Sequence, residues 1–157
     1  TQDNYMSDNN KLDPRYQAQK ILSRRDYTEK EMRAKLKQKK ITAAQIDDTI
    51  NWLKDNQLIN DADFAASYIA SVLNYKSVGP YWLKAKLKQK GIAGDIIESA
   101  IGQVFTDEHE VKIATEAASR WQRLHSNAKN DKQKLYRFLA SRGFSSDCIT
   151  RVTDKLF

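Results

Sequence analysis

Residues 31–41 read EMRAKLKQKKI and residues 82–92 read WLKAKLKQKGI, the same basic phrase written twice, 51 positions apart. A fixed offset of this size is the mark of a repeat architecture, so the rest of the chain is tested against that period first. Leu36 matches Leu87, Lys40 matches Gly91, Ile41 matches Ile92, Ile46 matches Ile97 and Ile50 matches Ile101. A fainter third copy follows at an offset of 52, with Leu139, Gly143, Phe144 and Ile149 in FLASRGFSSDCI.

Each copy carries the same punctuation. Thr28 stands where a helix N-cap belongs, with Glu31 three residues on to complete a capping box; Pro80 suits a first helical position, and KNDKQKL marks the third start. The basic helix then ends at Lys40, Gly91 or Gly143, and the two glycines suit the left-handed residue that closes a helix. Thr42 and Ser145 offer caps for the next helix, a place that Ala93 and Gly94 fill less well. After it comes an apolar pattern at helical spacing: Ile46, Ile50 and Leu53 with Trp52 nearby, then Ile97, Ala100, Ile101 and Val104. Before it lies another: Tyr16, Ile21 and Leu22; Phe64, Tyr68, Ile69 and Val72; Val111, Ala114, Ala118, Trp121 and Leu124. That makes three helices per unit.

The expected fold is therefore all-α, three tandem three-helix repeats forming an elongated, curved array with an extended binding surface. Residues 1–13 read as a flexible tail, 14–60 as the first repeat, 61–106 as the second and 107–157 as the third. Asp61 and Asp107 are the expected caps at the two internal boundaries. Five Gly and two Pro are few breakers for 157 residues, which agrees with helix throughout. A mean hydropathy of −0.73 leaves generous polar surface, yet 40% hydrophobic residues is too many for a disordered chain.

The formal net charge is +7 and the pI about 9.4, which points to a polyanionic partner: nucleic acid, an acidic protein face or anionic lipid. No apolar run approaches a membrane span, no signal segment opens the chain and Cys148 is its single cysteine, so a soluble cytoplasmic protein without disulfides is expected. The charge is segregated. Between Lys20 and Lys40 there are nine Lys or Arg against three acids, and between Lys76 and Lys90 five Lys against none. With Met32, Leu36, Leu83 and Leu87 turned to the core, Arg33, Lys37, Lys40, Lys84, Lys88 and Lys90 fall largely outside the buried stripe. Arg24, Arg25, Lys76 and Lys86 flank them, and Lys132, Lys134, Arg137 and Arg142 supply the third copy. Any one basic helix simply solvates itself; recurrence at equivalent places makes a polyanion-binding stripe the stronger reading. Tyr75, Tyr81 and Trp82 lie beside the phrase, where packing is the plainer role and base stacking the sharper one.

Nothing composes a catalytic centre. His109 and His125 lack partners at a metal spacing and fit surface or capping roles, Cys148 sits in an apolar pattern, and the glycines match no phosphate loop. Asp47 and Asp48 read as first-turn acids of a helix. No metal, cofactor or catalytic residue is expected.

The stretch ILSRRDYTEKEMRAKLKQKKI resembles the first-repeat signature of the RecX regulatory proteins, with a Leu, an Arg, a Ser/Thr cap and a Glu before a Lys-rich helix. LINDADFAASYIASVLNYKSVGPYWLKAKLKQKGI is similar to that family's central motif, an Asn-Asp cap, Phe-Ala, then Gly-Pro and a helix closing on Gly-Ile. Together they cover residues 18–105, and the third repeat agrees in pattern more than in letters. Arg25 and Asp26, Lys35 with Leu36, and Phe64, Gly79 and Pro80 fall on family motif positions. The resemblance implies a non-catalytic bacterial regulator of the RecA recombinase in DNA recombination, repair and the SOS response. Such a protein binds the RecA filament on single-stranded DNA, binds single- and double-stranded DNA itself, and inhibits strand exchange and ATPase activity; a monomer is the simplest state. Two departures stand out: Lys40 replaces a frequent Gly, and SVLNYK carries one basic residue where relatives have several Arg. A generic DNA-binding or nucleoid-type helical protein, and a purely protein-binding scaffold, are the alternatives.

Overall fold

The computed structural model describes residues 13–128 and 131–157. The expected tail thus lies outside the described residues apart from Asp13. Among those described there are nine α-helices, one short 3-10 turn at Ser126–Ala128 and no strand. The helices are α1 (Pro14–Leu22), α2 (Glu29–Gln38), α3 (Ala43–Asp55), α4 (Asp61–Leu73), α5 (Pro80–Gln89), α6 (Gly94–Val104), α7 (Asp107–Leu124), α8 (Lys132–Ser141) and α9 (Ser146–Leu156). The chain is an all-α tandem repeat of three-helix units, with the period read from the sequence.

Two compact units emerge from the packing, one of residues up to Phe64 together with Lys90–Ile92, the other of Ala65–Gln89 together with Ala93–Phe157. In the first, Ala18 and Ile21 of α1, Met32 and Leu36 of α2, and Ile46, Ile50 and Leu53 of α3 share one core with Tyr27 and Ile59. In the second, α7 supplies Ile113, Ala114, Ala117, Ala118 and Trp121, against Leu135 and Leu139 of α8 and Cys148, Ile149 and Val152 of α9. Small residues on α7 let its backbone approach its neighbours, a close packing that favours burial over bulk. Leu124 and Tyr16 are exposed, contrary to their place in the apolar pattern: each lies at one edge of its helix's stripe, which is already filled by Ala117, Ala118 and Trp121 in one case and Ala18 and Ile21 in the other.

Capping explains where the helices start. Thr28 accepts from the Glu31 amide while Glu31 reaches back to the Thr28 amide, and Thr42 with Gln45 forms the same box on α3. Ser145 caps α9, Asp131 α8 and Asp13 α1, whereas Ala93 before α6 makes no side-chain cap. The expected caps Asp61 and Asp107 are displaced by one residue. Asn60 accepts from the Asp63 amide at 3.0 Å and Thr106 from the His109 amide at 3.1 Å, so both aspartates are first helical residues. Asp61 instead accepts from the Glu29 amide at 3.0 Å, satisfying an open donor at the start of α2. Asp47 is not a first-turn acid either, since α3 begins at Ala43; its carboxylate pairs with Arg33.

The ends of the basic helices are used in a repeated way. Thr28 at the start of α2 donates its hydroxyl to the Lys90 carbonyl at 2.7 Å. At the start of α5, Gly79 N–H donates to the Arg142 carbonyl at 2.8 Å and Tyr81 N–H to the Gly143 carbonyl at 2.9 Å. Lys90–Gly91 and Arg142–Gly143 are equivalent residues of successive repeats, as are Thr28 and Gly79. Gly91 and Gly143 adopt φ +83° and +82°. A Cβ on Gly143 would strike the Trp82 backbone, and one on Gly91 the side chain of Lys30. Glycine is required there for handedness and for close approach together. Lys40, at the corresponding end of α2, takes φ +60° but is exposed, so a side chain is accommodated at the expense of backbone strain alone.

Candidate nucleic-acid interface

The basic residues divide by whether an acid has already claimed them. Arg33 Nη1 lies 2.6 Å from Asp47 and its Nε 3.2 Å from Glu29. Lys84 Nζ lies 3.0 Å from Glu98. Arg33 and Lys84 are 51 residues apart, and so are Asp47 and Glu98; the same bridge therefore ties the basic helix to the third helix in two successive repeats. Asp47 in particular holds the Arg33 guanidinium above its ordinary pKa, outweighing the opposing effect of its partial desolvation. Arg33 and Lys84 serve the repeat before they serve a ligand.

Arg25 and Lys90 converge on one carboxylate. Glu31 lies 3.0 Å from Arg25 and 3.2 Å from Lys90, and the Arg25 guanidinium stacks over the Tyr27 ring at 3.7 Å. Partial burial pushes the Glu31 pKa upward, but hydrogen bonds from Arg25 and Lys90 and from the Thr28 amide outweigh it and leave the carboxyl below its ordinary value. Lys132 pairs with Asp154 at 2.8 Å and Lys134 with Asp131 at 3.4 Å. Six of the sequence-derived candidates, Arg25, Arg33, Lys84, Lys90, Lys132 and Lys134, are thus ion-paired.

The remainder have no ion pair among the described residues. Arg24, Lys37 and Lys40 are exposed in the first unit; Lys88, Arg137 and Arg142 are exposed in the second. Lys37 and Lys88 occupy equivalent places on α2 and α5. Lys76 and Lys86 sit over the same Trp82 ring, at 5.3 and 5.2 Å from its centroid, and Arg142 lies 5.3 Å from the Phe138 centroid. Two ammonium groups on one indole are held in place by its negative face, a cation–π arrangement that fixes charge without neutralising it. Tyr75 and Tyr81 beside them are 67% and 59% exposed, so neither is consumed by the core, while Trp82 is half-buried.

Residues with enzymatic or metal potential are occupied otherwise. Nδ1 of His109 lies 2.7 Å from the Val104 carbonyl. His125 closes α7 and stacks on Trp121, with ring centroids 5.0 Å apart. Burial, reinforced by the Glu110 carboxylate, pushes the Cys148 thiol up to about 12, so it is protonated at neutral pH. Glu110 itself is buried and accepts from the Ser145 amide at 2.6 Å, a bond the sequence pattern of α7 concealed among apolar neighbours. Among the described residues no cluster of three His, Cys, Asp or Glu could hold a metal, and no helix is long and apolar enough to cross a membrane.

Two hollows lie near the basic residues. One, of about 760 Å³ in the second unit, is lined by both signs: Lys84 and Arg151 against Asp107, Glu110 and Asp147. The other, of about 340 Å³ in the first unit, is lined by Lys20, Arg24, Lys35 and Lys39 with Ile21, Tyr27 and Gln38, and by no acid among the described residues. Of these four, only Arg24 stands out from the sequence pattern as a site residue. Lys20 and Lys35 belong to different helices, and their convergence is set by how α1 packs on α2.

Comparison with known proteins agrees with this architecture. Residues 15–53, 60–101 and 108–153 match the models of the first, second and third three-helix domains of RecX. The chain is 33% identical over 138 residues to the regulatory protein RecX of Chlorobium phaeobacteroides (strain BS1), covering 88% of this chain and 89% of that one. It is 31% identical over 115 residues to that of Lactococcus lactis subsp. cremoris (strain SK11), there covering 71% of this chain but 43% of the relative; some relatives are thus more than twice the matched length. The crystal structure of RecX from Lactobacillus salivarius superposes with a TM-score of 0.84 at 32% identity, covering 91% of this chain and 94% of that one. Carried by three consecutive domain matches and by a relative matched over nearly its whole length, the conclusion is that this chain belongs to the RecX family of regulatory proteins.

Proposed function

We propose that the protein is a non-catalytic regulator of the RecA recombinase that binds the RecA filament on single-stranded DNA through exposed basic residues and lowers strand exchange and ATPase activity. Membership of a family of regulatory proteins supports the regulatory part. The observation that carries the binding part is the pair Lys37 and Lys88: equivalent positions in two repeats, both exposed and both without an ion pair among the described residues, whereas the neighbouring Arg33 and Lys84 are bridged to acids. A fold that needed these charges for its own packing would have paired them. Fixed ammonium groups of Lys76 and Lys86 on Trp82, beside exposed Tyr75 and Tyr81, fit a phosphate backbone with unstacked bases nearby.

The test is binding to single-stranded DNA with and without assembled RecA and nucleotide at physiological salt, with RecA ATPase read in the same samples. Tighter binding to the filament with falling ATPase is the expected result. Equal binding to bare DNA with ATPase untouched would replace the regulator with a generic DNA-binding protein, and salt-independent binding to RecA alone would replace it with a protein-binding scaffold.

A further inference from the structure

We propose that the hollow lined by Lys20, Arg24, Lys35 and Lys39 in the first unit is a phosphodiester-binding pocket for single-stranded DNA. This rests on the DNA-contacting part of the function proposed above and assigns it a place.

Four cations converge on about 340 Å³ with no carboxylate in the lining among the described residues, and none of the four has an ion pair among those residues. Like charges gathered around one concavity repel each other, so the arrangement is unfavourable until an anion enters. Helix ends explain part of it: Lys20 lies in the last turn of α1 and Lys35 in the last turn of α2, where the negative end of the dipole favours them. That effect places one cation at each helix end but does not aim cations from two helices at the same space. The fold does not demand them either. At the equivalent places of the second repeat, Lys20 and Arg24 are replaced by Ser71 and Tyr75, whose hydroxyls are 3.2 Å apart. Lys35 and Lys39 recur there as Lys86 and Lys90, so it is Lys20 and Arg24 that are added to the common plan.

The shape selects the anion. A tetrahedral phosphate spreads its charge over non-bridging oxygens that an Arg fork and several ammonium groups approach from different sides at once. An acidic protein helix would present its carboxylates on a convex surface at spacings of about 5.4 Å per turn, suiting an open groove rather than a small hollow. The wall is firm. Tyr27 is buried, with the Arg25 guanidinium stacked on its ring, and Ile21 beside it belongs to the core. A flexible single strand can bend one phosphodiester into such a recess, whereas a duplex offers its backbone as a stiff ridge.

The experiment measures affinity for an oligo-deoxythymidine strand across a salt series for the wild-type chain, the double variant Lys35→Gln/Lys39→Gln, the single variant Arg24→Gln, and Lys54→Gln as a control that removes a charge paired with Glu29. Circular dichroism melts confirm that the exposed substitutions leave the fold intact. The double variant is expected to bind about tenfold more weakly at physiological salt, with the slope of log affinity against log salt smaller by up to roughly 0.7, the contribution of one single-strand phosphate contact. Arg24→Gln is expected to lower the slope by about half as much, and Lys54→Gln to leave it unchanged. A wild-type slope retained in the double variant would overturn the pocket while leaving the DNA-binding reading in place. Filament binding by a wild-type chain that ignores bare DNA would overturn the pocket and keep the RecA reading. Loss of binding to DNA-free RecA, with DNA affinity intact, would assign the hollow to an acidic protein surface and also overturn the proposal.

Discussion

The hydroxyl of Thr28 donates a 2.7 Å hydrogen bond to the main-chain carbonyl of Lys90, 62 positions away, and the same oxygen accepts from the amide of Glu31. One buried side chain thus begins a helix and ends another. Thr28→Ala removes a cap worth about 1 kcal/mol and leaves a carbonyl without its partner at a similar cost. A loss of about 2 kcal/mol is expected in urea unfolding followed by circular dichroism, with Thr28→Ser restoring most of it.

Gly143→Ala should be more damaging than Gly91→Ala. It combines a left-handed φ with a clash against the Trp82 backbone, which cannot rotate away, so about 3 kcal/mol or more is expected, above the roughly 1–2 kcal/mol of handedness alone. Gly91→Ala meets the side chain of Lys30, whose outer carbons can swing aside although its Cβ cannot, and should cost less. Lys40→Gly relieves strain with nothing removed from the core and is expected to stabilise by up to about 1 kcal/mol, although the added freedom of the unfolded chain offsets part of this. Parallel denaturation curves rank the three; Gly143→Ala as mild as Gly91→Ala would contradict the close approach.

Glu31 gives the fold an acid-sensitive element. Its folded pKa is depressed below the ordinary 4.5, so the stabilisation it brings is fully present above that value and is lost as pH falls through the lower, folded one. Glu31→Gln should therefore lower stability at neutral pH, and the difference from wild type should shrink once both chains are measured in acid. A gap that stays constant down to low pH would show that shape, not charge, does the work.

Cys148 is expected to resist alkylation. With burial holding its thiol near 12, the thiolate that attacks iodoacetamide is scarce at neutral pH. Mass spectrometry should find the folded chain unmodified and the urea-unfolded chain fully labelled; fast labelling of the native protein would mean that α9 opens readily.

Within the candidate interface, the two classes of cation should behave differently. Lys37→Glu with Lys88→Glu is expected to weaken DNA binding while leaving melting nearly unchanged, because exposed charges contribute little to stability. Arg33→Gln and Lys84→Gln should instead lower stability by up to about 1 kcal/mol each. Side-by-side melts and binding curves separate the classes.

Much of this was legible in one reading of the chain. Period, helix starts at Thr28, Thr42, Pro80 and Ser145, and the left-handed glycines all follow from local chemistry, because caps and φ constraints act over three or four residues. Partners distant in sequence were not. Nothing near Asp61 announces that it serves Glu29; Asp47 reads locally as a first-turn acid and Glu98 carries no local signal, and their partners emerge only where α2 meets α3 and α5 meets α6. The hollow around Lys20 and Lys35 was hidden for the same reason: a stripe drawn on one helix omits cations contributed by its neighbour. Leu124 shows the opposite error, an apolar letter in register with a face already filled.

The joint at Gly79, Tyr81, Arg142 and Gly143 is made of amides and carbonyls, and main-chain atoms do not read the side chains attached to them. Such a seam asks the sequence for little beyond a glycine and a helix that stops on time. Letters can therefore drift while the joint holds, which is how a third copy so faint in spelling keeps the same three helices.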